Sequence, residues 1–140
     1  MKAAALISGG KDSFLAALIG SEMGMDLVSA VTYIPVQDSE MFHVPNIKNA
    51  ELVSSLLDLG TIYFDESEFE SSFMDLKRSE IECVISGAIA SDFQKTRIEK
   101  YCTNAGRLQG KQNRSIILPR RIYRGMHEGA MHIQGLNVKI

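Results

Sequence analysis

The sequence AAALISGGKDS at residues 3–13 decides the fold. An uninterrupted apolar run from Ala3 to Ile7 is typical of a strand that is covered on both faces. The run breaks at a polar segment with two adjacent glycines, and apolar residues then recur at helical spacing from Phe14 to Ile19. Asp12 or Ser13 is placed to cap the first turn of that helix. The segment therefore predicts a strand, a glycine turn and a helix.

The same alternation of apolar run, turn and amphipathic segment repeats along the chain. Further strands are predicted at Leu27–Ile34, Thr61–Phe64, Cys83–Ser86 and Ser115–Leu118. Helices are predicted from Ile47 to the residues just before Gly60, across Glu66–Ser79, and after Asp92. Such alternation is typical of βαβ units with right-handed crossovers. We therefore predict an α/β fold, namely a doubly wound, Rossmann-like parallel sheet of about five strands with helices on both faces.

Charge divides the chain into two parts. Residues 1–106 hold 8 basic and 16 acidic side chains, whereas residues 107–140 hold 7 basic and 1 acidic, within an overall net charge of −2. We treat the first part as one predicted domain and the second as a tail. Apolar runs stay well below the roughly eighteen residues of a membrane span, and no secretory signal is evident, which predicts a cytoplasmic protein. The two cysteines, Cys83 and Cys102, are predicted to be buried thiols.

The hexapeptide from Ser8 to Ser13 has the composition of a phosphate-binding loop. Gly9 and Gly10 would let backbone N–H groups approach an anion closely, because neither has a Cβ in the way. Lys11 adds a positive charge, and the helix that follows adds its N-terminal dipole. Asp12 is the one acid in the loop, and an acid beside phosphates commonly holds Mg²⁺. The loop therefore predicts a phosphate-binding site with Asp12 as the ligand of a Mg²⁺ ion.

The hexapeptide resembles the SGGxDS loop of the N-type ATP pyrophosphatases, which split ATP to AMP and pyrophosphate while adenylating a substrate. Two further segments are similar to the diphthine–ammonia ligase family within that superfamily. GAIASDFQKTRIE at residues 87–99 resembles the family's GAIxSDYQRxRxE, and MFHVPN at residues 41–46 resembles its MFHxPN. DLK at residues 75–77 fits a weaker element of the family. The resemblance covers residues 1–106, in an adenine nucleotide alpha hydrolase-like fold.

The resemblance implies a set of site residues at one edge of the sheet. It implies catalytic roles for Lys11 and Asp12, and nucleotide binding by the whole loop together with Gly87, Ala88, Asp92, Lys95 and Arg97. His43, Asn46 and Glu99 are implied as substrate or nucleotide contacts. From the residues alone, Asp92 equally fits a helix cap, whereas a solvated helix face is the favoured interpretation for Lys95, Arg97 and Glu99.

The resemblance also implies a reaction and its partners. In the family, ATP adenylates the carboxylate of diphthine, the modified histidine of translation elongation factor 2, and ammonia then displaces AMP to give diphthamide. ATP and Mg²⁺ are the implied cofactors. Two alternatives stay open: a nucleotide-binding module without catalysis, and another N-type ATP pyrophosphatase such as a tRNA-modifying enzyme. The acidity of residues 1–106 argues against a nucleic-acid partner.

The resemblance ends where the charge balance reverses. The family continues with a PLW segment and an RDQ-type stretch, and residues 107–140 match neither. One explanation is a natural short form with only the nucleotide-binding half, and the other is a tail that derives from a shifted reading frame or a truncation. The resemblance ends at the same place where the charge balance reverses, which favours the second explanation. An incomplete sheet with apolar surface at its edge also predicts self-association as a homo-oligomer.

Overall fold

A computed structural model describes residues 1–36, 47–87, 96–101 and 114–117 of the chain. Its strands are β1 (Lys2–Leu6), β2 (Asp26–Ile34), β3 (Thr61–Asp65), β4 (Cys83–Ser86) and β5 (Arg114–Ile117). Its helices are α1 (Lys11–Glu22), α2 (Ile47–Leu56) and α3 (Phe69–Arg78), with a 3₁₀ turn at Glu66–Glu68, and residues 96–101 are also helical (α4). The predicted alternation of strands and helices is confirmed.

Within the described residues, the sheet has five strands, all parallel, in the order β3-β2-β1-β4-β5. The first half of the chain winds outward from β1 to β2 and β3. The chain then crosses back through α3 to place β4 on the other side of β1. This is the predicted doubly wound α/β fold. The winding direction reverses between β1 and β4, and open α/β sheets bind their ligands in the crevice at such a reversal.

Small side chains fill the face of the sheet that α1 and α2 cover. Ala5 and Ala30 of the sheet pack with Ala17 of α1 and Ala50 of α2 in one buried cluster. The inward face of α1 consists of small residues and one isoleucine: Ser13, Ala16, Ala17, Ile19 and Gly20. Leu18, part of the predicted helical pattern, is instead 39% exposed. Because its inward residues are small, α1 lies close against the strands.

Aromatic side chains fill the opposite face, which α3 and α4 cover. The ring of Phe69 makes edge contacts with Tyr33 at 4.8 Å, Phe73 at 5.2 Å and Tyr101 at 5.6 Å between centroids. The hydroxyl groups of Tyr33 and Ser72 lie 2.7 Å apart in a buried hydrogen bond. This aromatic cluster joins α3 and α4 to β2, so the two faces of the sheet are built from side chains of very different size.

The remaining sequence predictions about the fold have mixed outcomes. Cys83 is a buried thiol, as predicted, whereas Cys102 lies outside the described residues. Strand β5 lies within residues 107–140, one residue earlier than predicted, and the domain boundary at residue 106 stays a prediction. In the described parts of the chain, no helix is both long and apolar enough to cross a bilayer.

Candidate functional site

The loop between β1 and α1 follows the carboxyl end of β1, the strand at which the winding of the sheet reverses. The Ile7 N–H donates to the Val31 carbonyl at 2.8 Å, which carries the strand one residue past Leu6. Gly9 then adopts a φ of 83°, a left-handed conformation that favours glycine. Gly10 is the extended N-cap residue, and α1 begins at Lys11. The chain thus turns from strand into helix within three residues.

A hydroxyl network holds the loop in this shape. Ser13 Oγ donates to the Gly10 carbonyl at 2.9 Å and accepts from the Ser8 N–H at 3.2 Å. The two serine hydroxyls are 3.4 Å apart, and the Gly10 N–H donates to Ser8 Oγ at 3.4 Å. The prediction that Asp12 or Ser13 caps the helix is therefore wrong, because Gly10 is the N-cap residue and no side chain caps it. Ser13 is the third helical residue, so its hydroxyl reaches back to the carbonyl three residues earlier.

The charged residues of the loop extend into solvent. Lys11 Nζ lies 3.4 Å from Asp12 Oδ1, and the two side chains are 79% and 42% exposed. An exposed ion pair of this kind contributes little to stability, so its groups can exchange partners for a bound ligand at low cost. Lys11 offers an ammonium to an anion, and Asp12 offers carboxylate oxygens to a hard cation.

Asp12 offers a single carboxylate, so a Mg²⁺ ion bound there would have to be shared with a phosphate. Among the described residues, no three His, Cys, Asp or Glu side chains converge on one point. A cation at Asp12 would therefore complete its coordination with phosphate oxygens and water. Mg²⁺ commonly binds in this way, through one or two carboxylates together with substrate phosphates.

Gly87 brings the end of β4 directly against the loop. A Cβ at this position would lie 2.6 Å from the carbonyl carbon of Asp12 and 2.8 Å from the Ser13 nitrogen, and it would collide with the Asp12 carbonyl oxygen. The first turn of α1 occupies the space that a side chain at Gly87 would need, so a glycine here lets β4 lie close against the loop. The nucleotide contact that the resemblance implies for Gly87 stays a prediction.

Arg97 contacts the aromatic cluster. Its guanidinium carbon is 5.9 Å from the ring centroid of Phe69 and 5.8 Å from that of Tyr101. Its Nη2 also donates to the Tyr101 hydroxyl at 3.3 Å. The contact with Phe69 ties α4 to α3, and the predicted phosphate contact of Arg97 stays a prediction. Glu99 lies on the exposed side of the same helix.

Five of the residues that the resemblance implied lie outside the described ranges. They are His43, Asn46, Ala88, Asp92 and Lys95. Their predicted roles in nucleotide or substrate binding stay predictions.

The structure also shows a residue at the site that sequence reasoning missed. Thr32, in β2, is 1% exposed, and its hydroxyl donates to the Ile7 carbonyl at 2.9 Å. In the sequence, Thr32 is an ordinary β-branched strand residue, and its only signal is a hydroxyl within an apolar run. Its partner lies 25 residues earlier, which the sequence pattern does not reveal.

A family described as the diphthamide synthase N-terminal domain matches residues 1–109 of the chain. No curated protein matches the chain. The matched segment contains the loop, strands β1 to β4 and all the described helices.

Proposed function

The chain belongs to the diphthamide synthase N-terminal domain family, and from this premise we propose that it binds ATP with Mg²⁺ at the loop from Ser8 to Ser13. We propose further that it acts as an ATP-dependent amide ligase of the diphthine type. The observation that carries the proposal is the position of the loop. Its two glycines, lysine and aspartate follow the carboxyl end of β1, next to β4, where the winding of the sheet reverses.

The proposed reaction has two steps, in both of which atoms and charges balance. A carboxylate oxygen of diphthine on elongation factor 2 attacks the α-phosphorus of ATP, the bond to the bridging oxygen breaks, and pyrophosphate leaves. The nitrogen of ammonia then attacks the acyl carbon, AMP leaves with the bonding electrons, and a proton passes to solvent. Adenylation is needed because a free carboxylate is a very poor acceptor for an amine.

The residues of the loop have distinct roles in this proposal. Lys11 neutralises charge that develops on the departing pyrophosphate, and the backbone around Gly9 and Gly10 allows close approach of its oxygens. Asp12 would hold Mg²⁺, which supplies further positive charge to the phosphate oxygens. Catalysis then consists mainly of positioning and of charge stabilisation by groups already in place.

Substitution of the loop charges tests the proposal. Loss of one preorganised charge-stabilising group typically costs roughly 3 to 4 kcal/mol. We therefore expect Lys11→Ala and Asp12→Ala each to slow AMP and pyrophosphate release about a hundredfold or more. The assay follows radiolabelled ATP in the presence of ammonium and diphthine-bearing elongation factor 2.

Lys2→Ala is the matched control, because Lys2 lies at the opposite end of β1, where it pairs with Glu80 at 2.7 Å. It should turn over ATP like the wild type. Full turnover by Lys11→Ala or Asp12→Ala would refute the assignment of the loop. ATP binding without pyrophosphate release would leave a nucleotide-binding module, and release that depends on tRNA would point to a different N-type ATP pyrophosphatase.

A further inference from the structure

One peptide group at the start of the loop is held at both of its ends. Its carbonyl, from Ile7, accepts a hydrogen bond from Thr32 Oγ1 at 2.9 Å. Its N–H, from Ser8, donates to Ser13 Oγ at 3.2 Å. Both hydroxyl groups belong to buried residues. We propose that Thr32 is a positioning residue that fixes this peptide group and thereby sets the phosphate-binding shape of the loop.

The planarity of the peptide bond explains how one hydroxyl can have this effect. A peptide group rotates as a unit, so holding its carbonyl and its N–H fixes both the ψ of Ile7 and the φ of Ser8. Together with the ψ of Ser8, these two angles set the direction in which the chain enters Gly9. The loop N–H groups that would meet a phosphate therefore depend on the orientation of this one plane.

Thr32 belongs to a strand that is held in place on both sides, so its hydroxyl is a fixed partner for the Ile7 carbonyl. It lies in β2, which pairs with β1 on one side and with β3 on the other, where Thr32 is opposite Tyr63. The Ile7 N–H is also bound to β2, through the Val31 carbonyl at 2.8 Å. The N–H and the carbonyl of Ile7 are thus both hydrogen-bonded to an interior strand of the sheet. Ser13, on the other side of the peptide group, belongs to the loop and helix that these hydrogen bonds position.

Two variants separate the hydroxyl of Thr32 from its packing. Thr32→Val keeps the shape of the side chain and removes the donor, and Thr32→Ser keeps the donor. The matched control is Tyr33→Phe, which removes a buried hydroxyl from the next residue of the same strand, on the opposite face of the sheet. Thr32→Ala provides a second hydroxyl-free variant if the valine variant does not fold.

The first readout is amide hydrogen exchange in the ligand-free protein. We expect the exchange of the Ser8 and Gly10 amides in Thr32→Val to rise about tenfold relative to core strand amides, which corresponds to the loss of one hydrogen bond. Thr32→Ser and Tyr33→Phe should keep the wild-type ratio. An unchanged ratio in Thr32→Val, or an equal rise in Tyr33→Phe, would overturn the proposal.

The second readout is calorimetric titration with ATP in the presence of Mg²⁺, and this part rests on the proposed function. We expect roughly three- to tenfold weaker binding in Thr32→Val, with recovery in Thr32→Ser. Faster loop exchange with unchanged ATP affinity would overturn the positioning role. If the wild type itself binds no ATP, the proposed function fails, whereas the exchange ratio still decides whether Thr32 holds the loop.

Discussion

Gly87→Ala tests whether the close contact between β4 and the loop is needed for both stability and binding. The new Cβ would lie 2.6 Å from the carbonyl carbon of Asp12 and 2.8 Å from the Ser13 nitrogen. Carbon atoms in favourable contact are about 3.5 to 4.0 Å apart, so the first turn of α1 would have to move by about 1 Å. Backbone atoms of a helix cannot rotate away as the end of a flexible side chain can.

The size of the expected effect follows from that displacement. Forcing one extra carbon into a packed interior typically costs about 1 to 3 kcal/mol of the free energy of unfolding. The displaced atoms belong to the phosphate loop itself. A displacement of about 1 Å at a reacting centre can cost a hundredfold in rate, so we expect a comparable loss of ATP turnover.

Urea denaturation measures the first effect, and pyrophosphate release measures the second. Gly60→Ala is the matched control, because a Cβ there meets nothing within 4 Å and Gly60 is not among the positive-φ glycines. It should leave turnover unchanged and alter stability by less than about 1 kcal/mol. If Gly87→Ala proved as stable and as active as Gly60→Ala, the contact between β4 and the loop would not constrain the site.

Two further predictions concern residues away from the loop. Arg97→Met should lower the free energy of unfolding by about 1 kcal/mol, because it removes the guanidinium from the rings of Phe69 and Tyr101. A raised KM for ATP at unchanged stability would instead support the predicted phosphate contact of Arg97. Tyr63 is 39% exposed, and partial desolvation of its hydroxyl, together with the 3.0 Å hydrogen bond that it donates to Glu51 Oε1, raises its pKa above the ordinary value of 10.0. The folded protein therefore keeps the proton of the Tyr63 hydroxyl to a higher pH than the unfolded chain does. The stability that this hydroxyl contributes is fully present below pH 10.0 and is lost as the pH rises through the raised pKa. A titration near 295 nm, taken as the difference from Tyr63→Phe, should show the phenolate forming above pH 10.0, and a lower midpoint would contradict this.

Much of the fold could be predicted because its signals are local. The apolar run Cys83–Ser86 was predicted as a strand and forms β4 with the same bounds. Phe69, Phe73 and Leu76 recur at helical spacing, and all three are buried in α3. Periodicity and glycine breaks act over a few neighbouring residues, so they can be recognised in the sequence without knowledge of what packs against them.

The inward face of α1 could not be predicted in this way. Phe14, Leu15, Leu18 and Ile19 form the apolar pattern, yet Ala16, Ala17 and Gly20 are among the residues turned to the sheet. Their small size matters only because the facing strands also carry alanines, and a Cβ at Gly20 would collide with Ile85. Close helix-to-sheet packing depends on both surfaces, and the sequence of one helix contains only one of them.

The six residues from Ser8 to Ser13 are consecutive, so the sequence by itself determined the chemistry of the candidate site. Its geometry was decided only by the tertiary structure. Gly87 approaches the loop across 74 residues of chain, and Thr32 reaches Ile7 across 25. Both contacts depend on β1 lying between β2 and β4 in one particular register. A hydrogen bond or a close backbone contact needs atoms placed to within a fraction of an ångström, and only the packed sheet provides that placement.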